Sequence, residues 1–152
     1  MRAAVVVLLA FAAMEPITYA AHRWLMHGLA ARLHRSHHVN AARAVASRLE
    51  ANDVFPVAFA GVVLAAFAAG FNVVGLSLLV PVSVGVTLYG AVYFLVHDVY
   101  VHRRIALFSS QPRWLEYLAA EHRRHHRTGA EPYGMLAPWL SGSRPSHEPS
   151  DA

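Results

Sequence analysis

Histidine is where this sequence concentrates its chemistry. Ten of the eleven histidines fall in four short stretches: HRWLMH (22–27), HRSHH (34–38), HDVYVH (97–102) and HRRHH (122–126). A neutral imidazole presents one nitrogen lone pair and suits iron, copper, zinc or nickel, whereas calcium and magnesium take oxygen ligands. Ten such ligands exceed what one ion can use. A closed structural zinc site takes about four ligands, usually with cysteine among them, and cysteine is absent. Two six-coordinate ions offer about twelve positions, leaving about two for water, dioxygen or a bridge. The count favours a dinuclear, reactive centre. One histidine beside an apolar segment would be ordinary interfacial polarity; four clusters with one HxxHH spacing repeated are not. The eleventh, His147, stands in a Pro/Ser-rich tail and is read as a bystander.

Each residue of an α-helix advances by about 100°. His34, His37 and His38 then share a sector about 100° wide, as do His122, His125 and His126, so each triplet can aim three imidazoles at one region. His22 and His27 are five apart, about 140° round an ideal helix, and so are His97 and His102. Such a pair shares an ion only if the helix ends or unwinds between its members. Otherwise each member faces a different ion.

Apolar stretches must position these residues. Residues 3–14 are unbroken apolar, and 3–21 approach the ~30 Å hydrocarbon core at about 1.5 Å per residue. Residues 54–96 carry no charge, a run about right for two crossings, with a turn at Asn72 between Gly70 and Gly75. The pattern predicts an all-α integral membrane bundle with crossings near 3–21, 54–71 and 73–96. Tyr19-Ala20-Ala21 resembles a signal-peptide cleavage site, but Glu15-Pro16 breaks the apolar region such a peptide needs.

Parity then places all four clusters on one face. Every arginine except Arg2 falls there too, and arginine beside crossing ends marks the cytoplasmic side. The net charge of +4 is thus better explained by a membrane surface than by nucleic acid. Residues 114–127 read as a surface helix, part of a cytoplasmic cap. Residues 133–140 are too short to span and dip into the interface, with Trp139 as anchor. We expect one domain over 1–140 and a disordered tail over 141–152.

Three acids are candidates to support the centre. Asp98 follows His97 directly, and metal-bound histidines give their second N–H to a carboxylate or carbonyl. Asp53 is a weaker candidate of the same kind, or a helix cap. Glu15 lies inside a crossing beside Pro16, on the face of His22, where an ionisable residue is a functional candidate by default. It would orient the first histidine pair or bond a neighbouring helix. Tyr89 and Tyr93 can line a substrate groove or pack between helices.

These stretches resemble the bacterial β-carotene hydroxylases, within the fatty acid hydroxylase superfamily of membrane non-haem di-iron oxygenases. MEPITYAAHRWLMHG (14–28) is similar to the first motif of that family and LHRSHH (33–38) to the second. LEANDVFPVAFA (49–60) resembles its acidic entry to the next helix. GVTLYGAVYFLVHDVYVHRR (85–104) and EHRRHH (121–126) resemble the third and fourth motifs. Segment 39–47 departs from the family's shorter link. The resemblance implies two irons held by His22, His27, His34, His37, His38, His97, His102, His122, His125 and His126. It also implies dioxygen as co-substrate, electrons from a ferredoxin or NAD(P)H reductase, and hydroxylation of a membrane-dissolved carotenoid at ring position 3. A fatty-acyl or sphingoid hydroxylase or desaturase is the rival within the same chemistry. A membrane metal or haem carrier is the rival of another class, and it predicts histidines at mid-depth rather than at helix ends.

Overall fold

The computed structural model describes residues 1–42, 49–105, 107 and 112–141. The regular elements among them are all helical. Helix α1 (Arg2–Ala20) runs unbroken into a π-helical turn over Ala21–Leu29. Helix α2 (Ala31–Ala42) follows. A short turn at Ala51–Asp53 leads into α3 (Val54–Asn72). Helix α4 (Leu79–Phe94) continues into a second π-helical turn over Leu95–Val101, and α5 is Arg113–Thr128.

Three helical stretches are long and apolar enough to cross a membrane: Arg2–Leu29, Ala51–Asn72 and Leu79–Val101. They are apolar around most of their circumference. Leu8, Val57 and Leu64 stay 68%, 70% and 68% exposed, which suits lipid rather than water as the outer neighbour. Helix α4 packs between α1 and α3. Its approach to α1 depends on Gly85, where a Cβ would stand 2.3 Å from the Val7 carbonyl oxygen.

The expected crossings hold, with shifted ends. Helix α3 stops at Asn72, whose amide nitrogen donates back to the Ala68 carbonyl at 2.8 Å. The third crossing begins at Leu79 rather than at residue 73. Residues 73–78 form the connection, and Gly75 turns it at a φ of +87°, a region open mainly to glycine. At the other end the helical runs begun by α1 and α4 continue as π-helical turns past His22 and His97.

Helix α5 is amphipathic. Its buried Leu115, Leu118 and Ala119 pack with Val96 and Tyr100 of the π-helical turn that follows α4 and with Met135. Gly129, at a φ of +67°, closes α5 by donating its amide to the His125 carbonyl at 2.7 Å. The segment 133–140 does not span; it lies against α1 and ends in a short turn, Pro138–Ser141. Trp139 is half-exposed there. Of the expected tail at 141–152 only Ser141 is described, closing the Pro138–Ser141 turn, and residues 43–47 of the unusual link at 39–47 lie outside the described residues.

Candidate metal centre

All ten clustered histidines meet at one end of the bundle and sort into two groups of five. The first centre comprises His22, His27, His34, His38 and His125; the second comprises His37, His97, His102, His122 and His126. Within each group the candidate ligand nitrogens lie within 4.8 Å of one another. The groups adjoin, with the His38 and His126 rings 4.4 Å apart.

The π-helical turns resolve the five-residue spacings. The His102 amide donates to the His97 carbonyl at 3.0 Å, an i→i+5 bond. Such a turn brings residues five apart round to nearly the same side. The first turn closes likewise, the Ala30 amide donating to the Leu25 carbonyl at 2.8 Å. His22 and His27 therefore share one centre, and His97 and His102 share the other.

The HxxHH triplets correct the expectation that each aims at one region. Their outer members stay together, with Nε2 atoms 3.2 Å apart for His34 and His38 and 2.8 Å apart for His122 and His126. The middle members cross over. His37 Nε2 lies 3.2 Å from His97 Nε2, and His125 Nε2 lies 3.0 Å from His27 Nε2. On an α-helix the outer pair is about 40° apart while the middle residue points about 60° to the other side. Two centres lying side by side turn that angle into a division of ligands.

The chemistry of the donor set can be tested from the other ring nitrogens. His22 Nδ1–H donates to the Tyr133 carbonyl (2.8 Å), His34 to Asn52 Oδ1 (2.7 Å) and His125 to the Ala130 carbonyl (2.6 Å). In the second centre His37 donates to Glu50 (3.1 Å) and His97 to Asp98 (3.1 Å). These acceptors fix the proton on Nδ1 and leave a lone pair on each Nε2. Yet His22 and His34 oppose their Nε2 atoms at 3.1 Å, and His37 and His97 oppose theirs at 3.2 Å. Two lone pairs cannot hydrogen-bond each other. Adjacent ligands of an octahedral ion with bonds of about 2.1 Å stand about 3.0 Å apart, so the residues fit a cation in each group.

Burial keeps these histidines neutral. His34 and His125 are lowered from 6.5 to about 4, and His102 to about 2, chiefly by desolvation and further by neighbouring imidazoles. His122 and His126 are lowered for the same reasons. Neutral imidazole is the form that binds a metal.

Of the three candidate acids, Asp98 touches a clustered histidine directly. It also accepts from Arg104 at 2.9 Å. Asp53 stands one step back. It grips Arg104 through both oxygens, at 2.9 and 2.8 Å, and accepts the Glu50 amide at 2.9 Å. Glu15 works away from the histidines: its carboxyl accepts from the Tyr89 hydroxyl (2.6 Å) and from the amides of Leu136 (3.2 Å) and Ala137 (2.8 Å). It thus fastens the segment whose Tyr133 carbonyl receives His22. Tyr89 is spent on this bond, while the Tyr93 ring stacks on His97 at 5.0 Å.

Sequence reasoning missed Glu50, Asn52 and the carbonyls of Ala130 and Tyr133. The first two had a signal, since they stand with Asp53 in a polar block directly before a charge-free crossing. A backbone acceptor leaves none.

The family model of fatty acid hydroxylases matches residues 7–141. The beta-carotene hydroxylase of Pseudescherichia vulneris is 40% identical over 137 residues, covering 86% of this chain and 74% of its own. That of Pantoea ananas is 36% identical over 145 residues, covering 91% and 79%. The chloroplastic beta-carotene 3-hydroxylase 1 of Arabidopsis thaliana is 34% identical over 122 residues, covering 76% of this chain and 38% of its own. No solved structure matches the chain significantly. With the family match running from the first crossing to the end of the histidine-bearing cap, the chain belongs to the fatty acid hydroxylase family.

Proposed function

We propose that this chain is a membrane oxygenase that hydroxylates beta-carotene, at ring position 3, with two iron ions held by the ten clustered histidines. The observation that carries the reading is the opposition of Nε2 lone pairs in both groups, at 3.1 and 3.2 Å. The names of the similar bacterial and plant enzymes supply the substrate. Bound iron would supply dioxygen activation for an unactivated C–H bond, one oxygen atom entering product and the other leaving as water with two protons and two electrons from a ferredoxin-type donor.

The chain's own residues do the positioning. Carbonyl and carboxylate acceptors on Nδ1 hold the rings in one tautomer and orientation. Burial excludes water from the reacting region; His125 is fully buried and His37 nearly so. Apolar side chains on α1, α3 and α4 face the lipid in which a carotenoid dissolves, while the centres lie at the helix ends that a soluble donor reaches. The arginines at that end, Arg23, Arg32, Arg35 and Arg103 among them, support a cytoplasmic location by the positive-inside rule. They also suit an acidic donor or anionic lipid.

Expression in cells that accumulate β-carotene, followed by pigment chromatography, tests the substrate. Cryptoxanthin and zeaxanthin are the expected products. Unchanged β-carotene beside iron-loaded protein and a working donor would remove the carotenoid and favour a fatty-acyl substrate.

A further inference from the structure

The two centres are built alike but backed differently. At the first, the Nδ1 partners of His22, His34 and His125 are neutral oxygens: the Tyr133 carbonyl, Asn52 Oδ1 and the Ala130 carbonyl. At the second, the partners of His37 and His97 are the carboxylates of Glu50 and Asp98. Glu50 is buried against His37, with side-chain exposures of 6% and 4%, so its charge is poorly screened. A charge-assisted hydrogen bond is roughly twice as strong as a neutral one, and a carboxylate behind a ligating imidazole makes that ligand more basic. A more basic ligand favours the higher charge on its metal.

Resting on the two-iron reading, we infer that Glu50 and Asp98 make the centres electronically unequal: the second holds ferric iron more strongly, and the first electron given to an all-ferric pair settles at the first. The step is one electron. Dithionite, as reductant, loses it, one ferric ion becomes ferrous, and no bond in the chain is made or broken. The two carboxylates are not equivalent either. Asp98 is also held by Arg104, which grips Asp53 as well, so part of its charge is neutralised. Glu50 therefore has the larger effect.

The test uses the full chain, iron-loaded in lipid nanodiscs, with Mössbauer spectra recorded through a dithionite titration. Half reduction should give one ferrous and one ferric site, with two separate potentials. Glu50→Gln should weaken the ferric preference of the second centre tenfold to a hundredfold. That raises the lower potential by about 60–120 mV, at 59 mV per tenfold for one electron, and leaves the upper nearly unchanged. Asn52→Asp makes the converse change and should lower the upper potential; Asp98→Asn should act as Glu50→Gln does, but less. If Glu50→Gln loses iron, Asn52→Asp decides. Equal shifts of both potentials, or none, with two irons retained, would overturn the inequality alone. Fewer than two irons in the unmodified chain, seen by metal analysis before any reductant is added, would overturn the two-iron reading with it.

Discussion

His125 lies 98 positions beyond His27, yet their Nε2 atoms stand 3.0 Å apart, while His122 and His126 on the same helix serve the other centre. His37 makes the mirror exchange. Each half of the chain therefore completes a centre that belongs mainly to the other half. Because each is one member of a separate histidine group, the two-iron reading predicts that His125→Ala and His37→Ala each lose roughly half the bound iron and abolish hydroxylation. Metal analysis of the purified variants decides; full iron in both would refute the assignment.

Asp98 and Asp53 share Arg104, but Asp98 alone of the two bonds a clustered histidine, so their removal should differ. Asp98→Ala should weaken iron binding about tenfold to a hundredfold, the usual cost of losing the group behind a ligating histidine. Asp53→Ala, acting through Arg104, should cost less. Competition against a coloured chelator measures both, and equal affinities would contradict the order.

Glu15 joins α1 to α4 through Tyr89 and to the 133–140 segment through two backbone amides. Alanine there strands those donors, at about 1–3 kcal/mol for each left buried and unmet. Glu15→Ala should lower the unfolding midpoint in detergent and loosen the first centre, whose His22 depends on the Tyr133 carbonyl. Gly134→Ala should reproduce part of this, since a Cβ there would stand 2.8 Å from Glu15 Oε1. Thermal unfolding and iron content, read together, test the pair.

The metal-free chain should be acid-sensitive. His34 and His125 titrate at about 4 when folded and near 6.5 when unfolded, so the unfolded chain binds more protons between those values. Stability is full above 6.5 and is lost as pH falls towards 4; His102, at about 2, extends the loss below that. Melting curves recorded at about pH 7 and about pH 5 should show a lower midpoint at the acid end. Bound iron competes with protons for the same nitrogens, so acidification should also release it.

The crossings were legible because lipid demands long uncharged runs, and the gathering of ten histidines at one end because parity returns all four clusters to the same face. The start of the third crossing was not. Asn72 and Gly75 mark the turn, but Val73 and Val74 are as apolar as a helix would need, and nothing in the sequence shows the connection running on to residue 78. Nor was the division of ligands, because a five-residue spacing reads as about 140° on an α-helix and as one side of the helix on a π-turn. Glu50 and Asn52 were visible as a polar block, but their partners depend on α2 folding back over residues 51–53.

The helices α1 and α4 continue without a break into the turns that bear His22, His27, His97 and His102. The height of the reacting atoms above the bilayer midplane is therefore a helix length, counted at about 1.5 Å per residue. One residue added below His22 would raise that ligand pair by a single step and swing it by about 100°. These crossings thus act as rulers as well as anchors, and the depth at which a bilayer-dissolved substrate would meet the two histidine groups is set from within the membrane.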